Sequence, residues 1–460
     1  MKKQLLFALS LLGSSTVFAV TDGITYPEAA GLSCSNVWIQ SLNSGSELWK
    51  ANPFESTSKA RTATVVGDKV VVGFSQTMVV DDKSNDYAHI VIFDLATGAL
   101  QKTVQLTCDG APISGLLCAN QIGTDDFGHV WFAGLASDPS ARPIMLYYIT
   151  DLDAGTCAVA GELSLWAEEE AYGGRHDYYD LSGDVTGKEA RTVFISAQSS
   201  PTDPADGKIQ DKCVLGWARE QGTAEWHPHF NDGEYYVGIM EETYPADQLK
   251  WNGAPTVTLL KDDGFSGDLF YVDPFVGYPT LYNSAGGLVE SFASAADLQP
   301  KAGPNGVAEF TIGDVNLLAY AYSDYDNDPG CRIVVSKIGE NKEFEGMEQL
   351  WVLPENAFGA RGDGGTRVVS IKPIVSADAN GVEGAYLFVY KCSNGMALYR
   401  VAPSGWEGNL GGVQGVEIAD DNTAEAEYFN LQGVRVDAGN LSNGLYIKRQ
   451  GTTVSKFVKK

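Results

Sequence analysis

A unit of strand, tight turn, strand, longer loop, strand, tight turn and strand recurs along this chain, and it limits the fold more than any other feature. Between Thr62 and Leu106 it reads TATVV, a turn at Gly67-Asp68, KVVVGF, a loop, HIVIFDL, a turn at Ala96-Thr97-Gly98, and ALQKTVQL. The runs are β-branched or aromatic-rich, and Gly or Asp stands where a hairpin needs it. From Leu116 to Leu165 the same grammar gives LLCANQIGTD, DFG, HVWFAGL, a loop, IMLYYITDL, DAGT and CAVAGELSL. From Tyr178 to Phe230 it gives YYDLSGD, VTGKEA, RTVFISAQ, a loop, CVLGWARE, QG and TAEWHPHF. Fainter copies run from Thr256 to Phe292, from Val307 to Leu353, and from Thr366 to about Ala402. In the first three copies the second tight turn falls at Gly98, Gly155 and Gly222, spacings of 57 and 67 residues.

Four antiparallel strands at such a period are the signature of a β-propeller blade, so the expected class is all-β. The stretch NVWIQSLNSGSELWK, Asn36 to Lys50, repeats the strand–turn–strand pattern with no first half before it. Propellers remove their exposed edges by completing the last blade with N-terminal strands. The final copy has three clear strands and is expected to take its fourth from this hairpin. Six blades are expected, with seven as the alternative count, and a string of Ig-like sandwiches fits the long units less well. Residues 31–403 are assigned to the propeller.

Two short motifs add a resemblance. Asp125-Asp126-Phe127-Gly128-His129-Val130-Trp131 resembles the D-x-x-G-x-x-W turn and strand of periplasmic sensor-type propellers. Asp94-Leu95-Ala96-Thr97-Gly98 resembles the D-x-x-T-G hairpin of quinoprotein-type blades. Both bear on fold and not on activity.

The ends of the chain read as addresses. Lys2 and Lys3 precede an apolar run from Leu5 to Leu12 and a small-residue site at Val17-Phe18-Ala19, the pattern of a signal peptide over 1–19. That run is too short to span a bilayer, and no other stretch is long enough, so no transmembrane span is expected. After the last copy, residues 404–427 are Gly-rich and then acidic and read as a linker. Residues 428–460 form a separate β module. Tyr428 to Val436 resembles the first hairpin strand of the C-terminal sorting domains on type IX secretion cargo of Bacteroidetes, Leu441 to Lys448 resembles the following L-x-x-G-x-Y-I-x strand, and Val454 to Lys460 the closing lysine-rich strand. The resemblance implies recognition of Tyr428–Lys460 by export machinery, and with it a secreted, surface or periplasmic location.

The formal charge of −27 sets expectations about partners. A field of that sign disfavours nucleic acid and anionic membranes and favours cations, basic peptides or neutral glycans, besides keeping an exported protein soluble. The chain has 7 Cys, an odd number, with no C-x-x-C and no zinc-type spacing. Cys108–Cys118 is the pair to test for a disulfide.

In a four-strand blade the loops after the second and fourth strands share one face. Here those loops are long and acidic: Val79–Asp86, Ser199–Asp211 and Ser323–Gly330 after second strands, Trp166–Asp180 and Asn231–Ala254 after fourth strands. Long loops on one face of a rigid scaffold are where binding resides. Trp166, Tyr172, Tyr235, Tyr236, Tyr244, Trp251 and Tyr325 stand there among carboxylates, a mixture suited to stacking a sugar or capturing a cation, so a glycan or peptide ligand is expected. Asp324, Asp326 and Asp328 alternate as in a Ca²⁺ loop, but Pro329 and Val335 replace the Gly and Glu of the helix–loop–helix pattern. Ca²⁺ is thus the one cofactor the loops admit. The His227/His229 pair and the Arg361-Gly362-Asp363 tripeptide read as an ordinary strand pair and an interblade turn.

No nucleophile elbow, zinc-protease helix, P-loop or dinucleotide glycine pattern is present. Arg175, His176, Asp177 and Tyr178 make the best polar cluster and are the catalytic candidates, although four adjacent residues do not converge on one substrate atom. A sialidase-type propeller would show repeated S-x-D-x-G-x-T-W boxes, which are absent. The expected function is non-enzymatic binding of a glycan or peptide by an exported propeller; the alternative is a carbohydrate-active enzyme, either polysaccharide lyase or glycoside hydrolase.

Overall fold

The computed structural model of the chain describes residues 20–51, 53–54, 59–80, 83–136, 143–163, 175–200, 213–230, 236–238, 255–273, 279–291, 306–322, 331–359, 368–408, 410, 427–429, 435–436, 444–450 and 453–459. It divides into two compact units, Met1–Gly412 and Val413–Lys460.

The first unit is a β-propeller of six blades. Blade 1 comprises Thr62–Val66, Lys69–Val80, Lys83–Asp94 and Leu100–Gln105; blade 2 comprises Gln121–Thr124, Val130–Ala133, Ile144–Asp151 and Thr156–Leu163. Blade 3 is built on Arg175–Gly183, Thr192–Ser200 and Cys213–Arg219. Blade 4 has Thr256–Leu259, Leu269–Asp273, Thr280–Asn283 and Leu288–Ser291; blade 5 has Val307–Ile312, Val315–Tyr322, Arg332–Lys337 and Glu348–Leu353. Blade 6 joins Val369–Ala377, Glu383–Lys391 and Gly395–Pro403 to Leu32–Ser41, its outermost strand. The expected closure by an N-terminal strand is therefore present, with Leu32 opposite Pro403 and Ser41 opposite Gly395.

Strand alternation explains why the ring closes. Successive side chains of a strand point to opposite faces, so each blade presents one apolar set to the blade before it and another to the blade after. In blade 1, Val70, Val72, Val91 and Phe93 pack against Tyr386, Phe388 and Leu398 of blade 6. Their neighbours Val71, Ile90 and Ile92 pack against Ile122, Val130 and Phe132 of blade 2. The seams between blades 2 and 3, 3 and 4, 4 and 5, and 5 and 6 each hold a buried cluster of the same kind. Among the described residues the core is thus six apolar wedges between sheets.

Several details differ from the sequence reading. Val79–Asp86, expected as a long loop, is largely paired strand, with Thr77 opposite Asp86 and Val80 opposite Lys83. The second arm of the Asn36–Lys50 hairpin is a 3-10 turn, Glu47–Lys50, because Leu48 and Trp49 are drawn into the blade 6–blade 1 seam, where Trp49 meets Phe54 and Tyr390. The inner strand of blade 3 begins at Arg175 and not at Tyr178. Blade 2 carries an added hairpin, Thr107–Cys108 and Ala111–Pro112, whose first strand runs parallel to Thr156–Leu163. The outer edge of blade 3 is two short pieces, His227–Pro228 and Tyr236–Gly238. Pro228 has no N–H to extend the ladder, and the indole of Trp226 turns away to donate to the Ala160 carbonyl at 3.0 Å. Cys108 and Cys118 are free thiols, as are Cys34 and Cys157.

The second unit is a four-stranded antiparallel sheet in the order Arg435–Val436, Glu427–Phe429, Gly444–Gln450, Thr453–Lys459. Among the described residues, no helix is long and apolar enough to cross a membrane.

Candidate functional site

Inner strands run from the long-loop face, where each begins, to the face of the short turns. The residues that open them therefore ring one mouth of the central channel. Blade 1 contributes Arg61, just before Thr62; blade 2 contributes Asn120, just before Gln121; blade 3 contributes Arg175 to Tyr178.

These three blades meet at Asp177. Arg175 grips its carboxylate with two hydrogen bonds, Nε to Oδ2 at 2.7 Å and Nη2 to Oδ1 at 2.6 Å. Arg61 Nη1 donates to the same Oδ1 at 2.9 Å, and the Asn120 amide donates to the Asp177 backbone carbonyl. The Asp177 side chain is 0% exposed and that of Arg61 6%, whereas that of Arg175 is 45% exposed. The pairing with Asp177 raises the Arg175 pKa further above its ordinary value. Tyr178 is buried beside Arg61, Asp177 and Cys392, and burial pushes its phenol well above the usual range.

His176 leaves the group. The pairing register skips between His176 and Tyr179, and the imidazole goes instead to Ser196, with Nδ1 at 2.8 Å from the hydroxyl. The Ser196 hydroxyl also lies 3.4 Å from the Tyr178 carbonyl. Nε2 is buried with no partner. Complete burial pulls the His176 pKa down to about 4, and the ring is neutral at pH 7. Of the four catalytic candidates, the fold brings Arg175 and Asp177 together, sets Tyr178 beside them and turns His176 away.

Asp273, which sequence reasoning did not single out, closes the second strand of blade 4 at the same face. Its Oδ2 accepts from the Gly306 amide at 2.6 Å, and burial pushes its pKa up to about 8. Farther along the channel Asp180 of blade 3 accepts from the Leu259 amide at 2.8 Å and faces Lys372 of blade 6; burial raises the one and lowers the other. Lys261 pairs with Asp126 nearby.

At the opposite face the D-x-x-G-x-x-W motif shows its purpose. Asp125 Oδ1 accepts from the amides of Phe127 at 2.9 Å and His129 at 2.7 Å, Gly128 takes a left-handed φ of 84°, and Trp131 is fully buried. Asp184, Asp262 and Asp378 close the corresponding turns of blades 3, 4 and 6 in the same way. Asp125 Oδ2 also reaches across to the Val185 amide at 2.8 Å, and His129 Nδ1 lies 2.9 Å from Asp125 and 3.4 Å from Asp184. Asp125, His129 and Asp184 offer metal-type donor atoms within 4.8 Å of one another. Both carboxylates, however, are already committed to backbone amides, so the arrangement is a stitch between blades 2 and 3.

No family model matches the chain, and no curated protein matches its sequence. The fold does have solved counterparts. An α-L-arabinofuranosidase from Fusarium graminearum aligns with a TM-score of 0.42 at 12% identity, over 76% of this chain and 94% of that one. An α-L-arabinanase from Penicillium chrysogenum gives 0.44 at 11%, over 76% and 94%. The soluble aldose sugar dehydrogenase of Escherichia coli gives 0.37 at 11%, over 81% and 99%. At such identities the likeness is one of fold alone.

The aromatic candidates Trp166, Tyr172, Tyr235, Tyr244, Trp251 and Tyr325 lie outside the described residues, as do Asp324, Asp326, Asp328 and Arg361-Gly362-Asp363. Tyr236 opens the short strand Tyr236–Gly238 on the edge of blade 3. His227 is exposed, and His229 is engaged by the Gly267 carbonyl at 3.2 Å. Arg61, Asn120 and Asp273 carried no motif that marked them. Their one signal is a charged or amide residue at the margin of an apolar strand.

Proposed function

We propose that this chain is an exported β-propeller that binds a glycan or peptide on its long-loop face without turning it over, with residues 1–19 as a cleaved signal, 404–427 as a linker and 428–460 as a sorting module. The observation that carries the binding reading is the use of the polar cluster. A catalytic His or Asp must reach substrate, yet His176 is fully buried on Ser196 and Asp177 is fully buried between two guanidiniums. The cluster builds the channel mouth, and only Arg175 faces solvent appreciably. The resemblance of the final strands to type IX cargo of Bacteroidetes supports delivery to the outer membrane and beyond.

A glycan array followed by product analysis tests the reading: binding without turnover is expected. Release of new reducing ends or unsaturated products from a bound polysaccharide overturns it. The alternative, a lyase or glycoside hydrolase, needs a protonated carboxyl that reaches substrate; Asp273 is held protonated near neutral pH but is itself buried. Turnover abolished by Asp273→Asn or His176→Ala would establish that alternative. For the address, a fusion of 428–460 to a reporter should reach the surface of a host with type IX machinery, and a fusion lacking Lys456 to Lys460 should not.

A further inference from the structure

The channel mouth brings two guanidiniums together on one carboxylate inside an acidic protein. Arg61 and Arg175 share one carboxylate, Asp177, and both bond the same oxygen, Oδ1. Among the described residues no second carboxylate pairs with either guanidinium. Among the described residues two cations thus face one anion, with Arg61 and Asp177 buried. A buried charge left without a counterion is costly, and proteins balance it with a partner or a ligand.

A second observation points the same way. Arg61 Nε, a donor, and Asn120 Oδ1, an acceptor, are buried and have no partner among the described residues. Arg61 is 5% and Asn120 1% exposed, and each belongs to a side chain already touching Asp177. Buried polar atoms of this kind are normally satisfied. Here unused donor and acceptor capacity lies beside Asp177, and Arg175 opens the site to solvent. Because Asp177 occupies Nε and Nη2 of Arg175, the guanidinium plane is held in one orientation, ready to offer its remaining Nη1 hydrogens.

We propose that the mouth of the channel, at Arg175 held by Asp177 and backed by Arg61, binds the monoanionic group of an acidic glycan, a uronate carboxylate or a sulfate ester. This rests on the glycan reading of the long-loop face and sharpens it. Guanidinium is the side chain best shaped for a planar or tetrahedral oxyanion. The field of the whole chain slows the approach of an anion but does not set the contact energy at a low-dielectric mouth.

The test is calorimetric titration of the full chain with three probes: trigalacturonate, a sulfated galacto-oligosaccharide and neutral galactotriose. Binding of either acidic probe, at least about tenfold tighter than the neutral one, is expected from a charge-assisted contact. The acidic probe that binds identifies the source of the anion. Arg175→Gln should remove that preference, and Arg175→Lys should restore it in part; an unchanged melting temperature checks that both variants fold. Equal affinity for neutral and acidic probes overturns the anion site and leaves glycan binding standing. Silence toward all three probes overturns both.

Discussion

At the residue scale the behaviour of the protein turns on groups buried against their ordinary preference. Asp177→Asn would leave Arg61 and Arg175 facing each other with no carboxylate between them. Removing one partner of a buried ionic group costs about 3–5 kcal/mol, and denaturant unfolding should show a loss of that order. Asp273 acts through pH. Its folded pKa of about 8 stands above the ordinary 3.8, so the folded state holds its proton longer and stability falls as pH rises from about 4 to 8. His176 works from the other side: its folded value of about 4 lies below 6.5, so the stability present above 6.5 is lost as pH falls toward 4. His129, raised above 6.5 by its hydrogen bond to Asp125, adds stability at low pH that is lost as pH rises through its folded value. Melting temperatures of Asp273→Asn between pH 6.5 and 8 should therefore decline less than those of the native chain, and adding His129→Gln should flatten the curve further. Little of this was legible beforehand. Arg61 and Asp177 are 116 residues apart and lie in different repeats, and nothing in either stretch announces the other.

The strands themselves were readable because their signal is local. Val70, Val71 and Val72 look alike in sequence, yet the two-residue period alone sends the first and third to one seam and the middle one to the next. What escaped reading was set by single side chains acting at a distance. Trp49 pulls its segment into a 3-10 turn, and Pro228 with Trp226 breaks the outer edge of blade 3. The tight turns were seen as glycines, but their surroundings were not. Gly98 and Gly222 both sit at left-handed φ, 68° and 77°. A Cβ at Gly98 would lie 2.9 Å from the Trp38 ring, whereas one at Gly222 would meet nothing within 4 Å. Gly222→Ala should cost about 1 kcal/mol for backbone strain alone. Gly98→Ala should cost about 1–3 kcal/mol more for the forced contact, a difference that paired thermal melts will resolve.

For the whole molecule, the number of blades followed from counting repeats, and closure followed from one unpaired strand at the start. Leu32–Ser41 does more than fill an edge. Trp38 Nε1 donates to the Leu95 carbonyl at 2.8 Å and Gln40 Nε2 to the Gly98 carbonyl at 2.6 Å, tying blade 6 to blade 1. Deleting residues through Ser41 should abolish cooperative unfolding, and a permuted chain carrying Leu32–Ser41 after Pro403 should recover it. Removal of 413–460 should leave the melting temperature of the propeller within about 1 °C of its original value, since among the described residues the six seams are formed within the first unit. The module and the channel mouth were legible to very different degrees. The one is a contiguous string, while the other is assembled from three repeats.

The closing strand also fixes an order of events. Ser33 bonds the Ala402 carbonyl across a separation of 369 residues, so a chain made from its N-terminus presents one half of its clasp first and the other nearly last. Closing so long a loop costs only slightly more entropy than closing one half its length, but pairings this distant make folding slow. Through nearly the whole of synthesis Trp38 and Ile39 have no partner strand to cover them. A growing chain would need a holding chaperone for that interval, and one that stops short of Pro403 would remain an open arc, marked by its own uncovered edge as unfinished.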